Sequence, residues 1–497
     1  MNKKWTILVI VSLILICGSP VLSEEENSTH TIFEEDCTTI IVGKDATADG
    51  SVLVAHNEDD SGKVTVRLHV VPENTHPNSF KLTDGSVIYR EPHTMLSVSV
   101  PETSYGYVWS EMEGLDFSDS YINEYGVMIA SDNAGGSRED NPQLVGGGIR
   151  YYLRRLAIEQ TRTSRECANY IIRLVETFGY GHGGRVYITA DPSEAWVVQV
   201  VNGKHCLAQR VPDDSVVVIP NKYVSREVDL SDTENFMASS GLEEYAIERG
   251  WYDPANGKLD FTMVYGNPKS TKSGGNVYRQ QTGLYLLTGR VFPADDLPFS
   301  VKPDHGITVK ELMKVMRSVV CYGYQVDEAV EMPGRFHDNL PMRAISSGVT
   351  QESFVMQLRD WLPSEIGVVY WRAGNVPDIN AYVAWYPLAM IRSGIDFPET
   401  YTYADLDHMD LSSAFWAFRA FTTDVDSDYG VRIESVKEMW ADFEAREFEM
   451  QPLIEEYALN LHKEGKSVSS FLAYYSIGLG MDTYTKVIQH LRVWQSA

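Results

Sequence analysis

Residues 37–60 read CTTIIVGKDATADGSVLVAHNEDD, and they constrain the fold more than any other stretch. Residues 38–43 are short and β-branched, which favours an extended strand. Residues 44–50 carry turn chemistry and end in Asp49-Gly50. Residues 51–56, SVLVAH, supply a second strand. The pattern predicts an antiparallel hairpin that begins one residue after Cys37. A chain folded this way holds a thiol at the very start of a sheet strand.

The residues before that cysteine are of another kind. Lys3 and Lys4 are basic, residues 5–17 are apolar, and Val21-Leu22-Ser23 precede Glu24-Glu25-Glu26. The apolar run is shorter than the roughly 20 residues a membrane helix needs, so residues 1–23 read as an export signal rather than an anchor. Cys17 follows Ile16, where a lipid-attachment site would call for a small residue. Residues 24–36 are polar, acid-rich and without period, and read as a removable propeptide. The protein is therefore expected to be secreted or held in the cell envelope.

The 497 residues carry a formal net charge of −27, with 43% hydrophobic and 22% charged residues. That is a folded chain, and its charge repels a phosphate backbone, which argues against nucleic-acid partners. Five cysteines are too few and too scattered for a disulfide framework, and none shows metal-ligand spacing. Further strands are predicted at 126–131, 185–190, 195–201 and 215–219. Apolar residues at 149, 152, 153, 156 and 157 predict one helix. Thr163-Ser164-Arg165-Glu166 has capping-box form and opens a second, which Gly179 ends. After about residue 300 the pattern is irregular and aromatic-rich, and residues 412–491 are helical in period. Strand pairs bracketing a helix pair suggest sheets packed face to face with helices outside.

A thiol attacks as the thiolate and needs a base or a lowered pKa. No local cysteine–histidine protease signature is present. If Cys37 becomes the first residue, its own α-amine, with a pKa of roughly 7.7–8, can take the proton.

These stretches resemble a known family. CTTIIVGKDATADGS with AHNED, then residues 123–139, 179–201, 211–223, 235–254, 276–289 and 298–317, are together similar to the dipeptidase A type of cysteine dipeptidase. Those enzymes are N-terminal nucleophile (Ntn) hydrolases, related to penicillin V acylase and bile salt hydrolase. The similarity runs in order from about residue 37 to 385. It implies an α+β fold, a four-layer αββα sandwich, here with a mostly helical C-terminal extension. The expected organisation is signal peptide 1–23, propeptide 24–36, catalytic domain 37–405 and helical region 406–497.

The resemblance also implies roles. Cys37 corresponds to the nucleophile and, through its α-amine, the base. Asp59 corresponds to the acid that holds the amine, Asn133 to an oxyanion-hole amide, Asn221 to a second polar group at the acyl carbonyl, and Arg279 to a site arginine. His56 stands where the acylases and many dipeptidases have arginine, so it is placed at the substrate with a charge that depends on pH. Taken singly, Asn133 and Asn221 also read as turn residues, Arg279 as a surface ion pair and His182 as a loop residue. The expected activity is secreted, autocatalytically activated dipeptide hydrolysis on small peptide substrates, without metal or cofactor. An acylase cutting non-peptide amides and an inactive envelope binding protein are the alternatives, and homo-oligomerisation stays open.

Overall fold

The hairpin forms. In the computed structural model, which describes residues 37–60, 65–76, 79–112, 120–320, 322, 335–340 and 342–495, strand β1 (Thr38–Val42) pairs antiparallel with β2 (Val52–Asp59). The described residues belong to one of the chain's two units, Glu34–Ala497. The signal, the propeptide and Cys321 lie outside them.

Alternation along these two strands builds the layers. Ile41, Val52 and Val54 point one way, and Ile40, Val42, Leu53 and Ala55 the other. The hairpin belongs to a six-stranded antiparallel sheet. Its order is β6 (Val216–Ile219), β1, β2, β7 (Thr350–Leu358), β8 (Val368–Gly374) and β9 (Val383–Trp385). An eight-stranded sheet is centred on β3 (Met128–Asn133), β4 (Tyr180–Ala190) and β5 (Ala195–Gly203). Ile41, Val52 and Val54 meet Val186, Ile188 and Val197 of that second sheet in one core. The first sheet's outer face packs on α3 (Gly274–Thr288) and α4 (Val309–Met316) through Leu284, Leu287, Leu312 and Met316. The second sheet's outer face, with Ile129, Tyr187 and Trp196, packs on α1 (Tyr152–Ile158) and α2 (Ser164–Phe178). The layers therefore run helix, sheet, sheet, helix, the sandwich the resemblance implies. Each aliphatic side chain buried there is worth about 1.5–3 kcal/mol.

Helix α2 starts and stops as its sequence dictates. Thr163 accepts from the Glu166 backbone N–H, and Gly179 ends the helix at φ 73°. The C-terminal part is helical, as α5 (Ala414–Ser427), α6 (Tyr429–Lys463) and α7 (Ser469–Gln495). Phe421, Trp440, Phe443 and Val487 from these helices join the inter-sheet core.

Two local readings change. Residues 350–374 are not irregular: β7 lies between β2 and β8 at the centre of a sheet. Its polar residues hid it, because Glu352 is buried and satisfied by Ser110 at 2.6 Å, Ser120 at 2.7 Å and Arg372 at 2.6 Å. His182 lies not in a loop but in β4, which begins at Tyr180 and carries a bulge before Gly184.

A buried ion cluster ties Arg335 and His337 to the C-terminal helices. His337 Nδ1 is 2.6 Å from Asp426 Oδ1, and its Nε2 is 3.2 Å from Asp378 Oδ1. Arg335 Nε donates to Asp426 at 2.7 Å, Tyr429 to Asp378 at 2.8 Å, and Ser346 also to Asp378. Burial opposes every charge here. The two carboxylates outweigh it for the imidazole, raising His337 to about 10, while the charged ring holds Asp378 and Asp426 below the usual carboxylate range. The histidine's stabilisation is complete below its unfolded pKa of about 6.5 and fades as pH rises toward 10. The carboxylates' share is present above about pH 4 and fades as pH falls below it. Chemical denaturation across pH should therefore show stability falling on both limbs. His337→Gln should shrink the alkaline limb and cost about 3–5 kcal/mol near pH 7, the range for stripping one partner from a buried pair.

Candidate active site

Register decides which side chains meet the thiol. Thr39 lies opposite His56 and Thr38 opposite Asn57, so Cys37 is carried beside Glu58. Alternation puts Thr39, His56 and Glu58 on the inter-sheet side and Thr38, Asn57 and Asp59 on the helix side.

On the inter-sheet side a buried polar chain runs from the thiol. Cys37 Sγ donates to Glu58 Oε2 at 3.2 Å, and His56 Nε2 lies 3.2 Å from the same oxygen. His56 Nδ1 lies 2.8 Å from Thr39 Oγ1, and that hydroxyl donates to Asp132 Oδ2 at 2.6 Å. A hydroxyl has one proton, and here it goes to the Asp132 carboxylate. The threonine oxygen is then the acceptor for Nδ1–H. The His56 ring is fully buried and packs on Phe354, its neighbour across the β2–β7 ladder, with ring centroids 5.4 Å apart.

On the helix side Arg279 of α3 organises the backbone. Its Nη1 donates to the Cys37 carbonyl at 2.5 Å and to Thr38 Oγ1 at 3.0 Å. Nη2 donates to Asn221 Oδ1 at 2.7 Å and Asn276 Oδ1 at 2.9 Å, and Nε to the Gly275 carbonyl at 3.1 Å. All five guanidinium N–H bonds thus reach protein acceptors. Arg279 is 1% exposed, so the reading of it as a surface ion pair fails: α3 packs this face against the sheet. Arginine only donates, so the Asn221 atom facing it is the oxygen. The backbone carbonyl of Asn221 is held by Ser270 Oγ at 2.8 Å and Asn276 Nδ2 at 2.9 Å.

Asp59 is fully buried. Its carboxylate accepts from Thr350 Oγ1 at 2.5 Å and from Arg343. Burial pushes its carboxyl up, and Arg343, Thr350 and Arg279 pull it back only in part. Asn133, at the end of β3, uses its side-chain oxygen to accept from the Gly135 N–H at 3.0 Å, a turn contact.

The fold therefore brings Cys37, His56, Asn221 and Arg279 into one connected set, with Asp59 coupled through the charge of Arg279. Sequence reading missed Glu58 as the thiol's neighbour, Thr39 and Asp132 beyond His56, and Asn276 and Arg343 as partners of Arg279 and Asp59. Glu58 was within reach, since alternation from Cys37 across a registered hairpin selects 58 rather than 59. The register depends on a 3₁₀ turn at Lys44–Ala46 that the turn residues do not specify. Arg343 and Asp132 come from distant segments and carry no local signal.

Cys37 Sγ, His56 Nε2 and Glu58 Oε2 all lie within 4.8 Å of one another, a mixed sulfur, nitrogen and oxygen set that suits a borderline divalent cation such as zinc. A cation held there would occupy the Cys37 sulfur. The other described cysteines are inert by environment: burial pushes the Cys167 thiol up to about 12 and the Cys206 thiol higher still.

The chain is similar to a probable dipeptidase of Latilactobacillus sakei, with 25% identity over 410 residues, covering 79% of this chain and 82% of that protein. A probable dipeptidase of Salmonella dublin is 29% identical over 372 residues, covering 70% and 80%. Among solved structures it is similar to penicillin V acylase from Agrobacterium tumefaciens, with 14% identity, a TM-score of 0.33, and coverage of 70% of this chain and 86% of that one. The model of Peptidase family C69 matches residues 36–442, most of the sequence and the whole of the site just described, and the chain belongs to that family.

Proposed function

We propose that this protein is a secreted cysteine dipeptidase, made as a zymogen and activated when Cys37 becomes its N-terminus. One observation carries the reading: the Cys37 thiol donates to a buried carboxylate while Arg279 clamps the same residue's carbonyl. The names of the curated relatives supply the substrate class.

In the precursor the Cys37 nitrogen is an amide and cannot accept a proton. Glu58 is placed to take it from the thiol. The thiolate attacks the Asp36 carbonyl, the peptide nitrogen leaves as the α-amine, and water hydrolyses the resulting thioester. In the mature enzyme the α-amine takes the thiol proton. Attack on the substrate carbonyl then forms an oxyanion, with Asn133 as its amide donor and Asn221, its side chain oriented by Arg279, as the second polar group at the acyl carbonyl. The α-ammonium protonates the leaving amine, and water clears the acyl-enzyme. Asp59, whose ionised form Arg343 favours, is the carboxylate that favours an ammonium over an amine at this site.

Intact-mass analysis of secreted protein should give a chain beginning at Cys37, with dipeptides turned over faster than acyl-amides. A stable, inert chain beginning at Glu24 would instead identify a binding protein. Cys37→Ser should lower kcat by at least about a thousandfold. Glu58→Gln should slow precursor cleavage more than turnover by enzyme already matured, measured by mass and by dipeptide hydrolysis respectively. Micromolar Zn²⁺ should inhibit the mature enzyme, with chelation by EDTA restoring it. His56→Arg, which removes one of the three donors, should weaken that inhibition at least about tenfold.

A further inference from the structure

Lys222 follows Asn221 and has its own peculiarity. It is 5% exposed, yet its ammonium makes no hydrogen bond or ion pair among the described residues. Lysine is almost never buried without a partner, because desolvating the charge is costly. Burial first, and then the neighbouring Arg226, pull its pKa down to about 8, with Asp260 pulling the other way. Asp260 is already engaged by Arg226 Nε at 2.5 Å.

The lysine lines a cavity of about 330 Å³, whose wall also carries Arg226, Lys272 and Asp295 beside Met263, Val277 and Leu297. That volume falls within the range of small-molecule sites. The hydroxyl of Thr262 is donated inward to the Ser225 carbonyl at 3.0 Å. Lys222, Lys272 and Arg226 outnumber Asp295 in this wall, beside apolar Met263, Val277 and Leu297, which makes the chamber complementary to an anionic group on an apolar body. The cavity also adjoins the nucleophile's scaffold. Lys222 is joined to Asn221 and Val277 to Asn276, and Arg279 bonds both asparagines and the Cys37 carbonyl.

We propose that this cavity is a carboxylate-binding site, with Lys222 as the cation that pairs with a small aliphatic carboxylate. If the proposed dipeptidase function holds, the carboxylate is the free C-terminus of the substrate, and Lys222 is a reason for preferring dipeptides to internal peptide bonds. A free carboxylate acting as an effector has the same chemistry.

Two measurements separate these sources. Steady-state kinetics of the mature enzyme would compare alanyl-alanine with alanyl-alaninamide, in wild type and in Lys222→Met and Lys222→Arg. Thermal shift of the full-length Cys37→Ala protein, which needs no turnover, would compare N-acetylalanine with N-acetylalaninamide. A KM increase of at least about tenfold in Lys222→Met for the free acid relative to the amide, with Lys222→Arg between, supports the site and makes the substrate its source. Stabilisation by N-acetylalanine but not its amide, lost when Lys222→Met is added, supports the site with a free carboxylate as source if KM is unchanged. Equal response to acid and amide in both measurements overturns the proposal. If Lys222→Met does not fold, the acid–amide comparison on the Lys222-containing protein decides alone. Because the thermal shift is independent of catalysis, it reads the cavity even if dipeptides prove not to be substrates.

Discussion

The guanidinium of Arg279 is the interaction on which the site depends. It is buried in α3 and spends its five N–H bonds on the Cys37 carbonyl, Thr38, Asn221, Asn276 and its own helix. Cys37 stands one residue before strand β1, outside the ladder that holds the strand. Fixing the carbonyl on its C-terminal side supplies that restraint. The same cation sets the orientation of the Asn221 amide, because only an oxygen can face it. It also lowers the cost of leaving Asp59 ionised beneath the sheet.

The hairpin divides the work between two faces. On the side toward the second sheet, Thr39, His56, Glu58 and Asp132 form a chain of acceptors and donors that ends on the thiol. On the side toward α3, Arg279, Asp59 and Arg343 supply charge and restraint. Both sets are dry, so each charge is felt strongly and each must be matched. His56, at the centre of that chain, is an acceptor or donor according to its proton. Its ring nitrogen, beside the Cys37 sulfur and the Glu58 carboxylate, is a potential metal ligand.

Matched burial recurs away from the site. Glu352 and Arg372 neutralise each other between the sheets, and His337 is held between Asp378 and Asp426 where the C-terminal helices join. Such groups add little net stability over an apolar core but penalise any arrangement that leaves one partner alone. Lys222 departs from that economy, as does Glu447, whose carboxyl is buried and pushed up by desolvation.

The hairpin at 38–59, the capped helix ending at Gly179, the strands near 185–219 and the C-terminal helices were legible in the sequence because each is set by local alternation, capping or turn chemistry. The candidate nucleophile was legible because it stands alone before a strand, and its family from a series of spaced motifs. Strand β7 was not, because a central strand satisfying buried Glu352 across two sheets shows no alternation of apolar and polar residues. Glu58 as the thiol's neighbour was decided by hairpin register, and Asp132 and Arg343 by long-range folding, since no local pattern reports contacts across 93 and 284 residues. Sequence by itself determined which residue types were at hand and which elements carry them. Tertiary packing decided which side chains lost their water together, and burial is what turns a carboxylate, an imidazole and a thiol into one electrostatically coupled site.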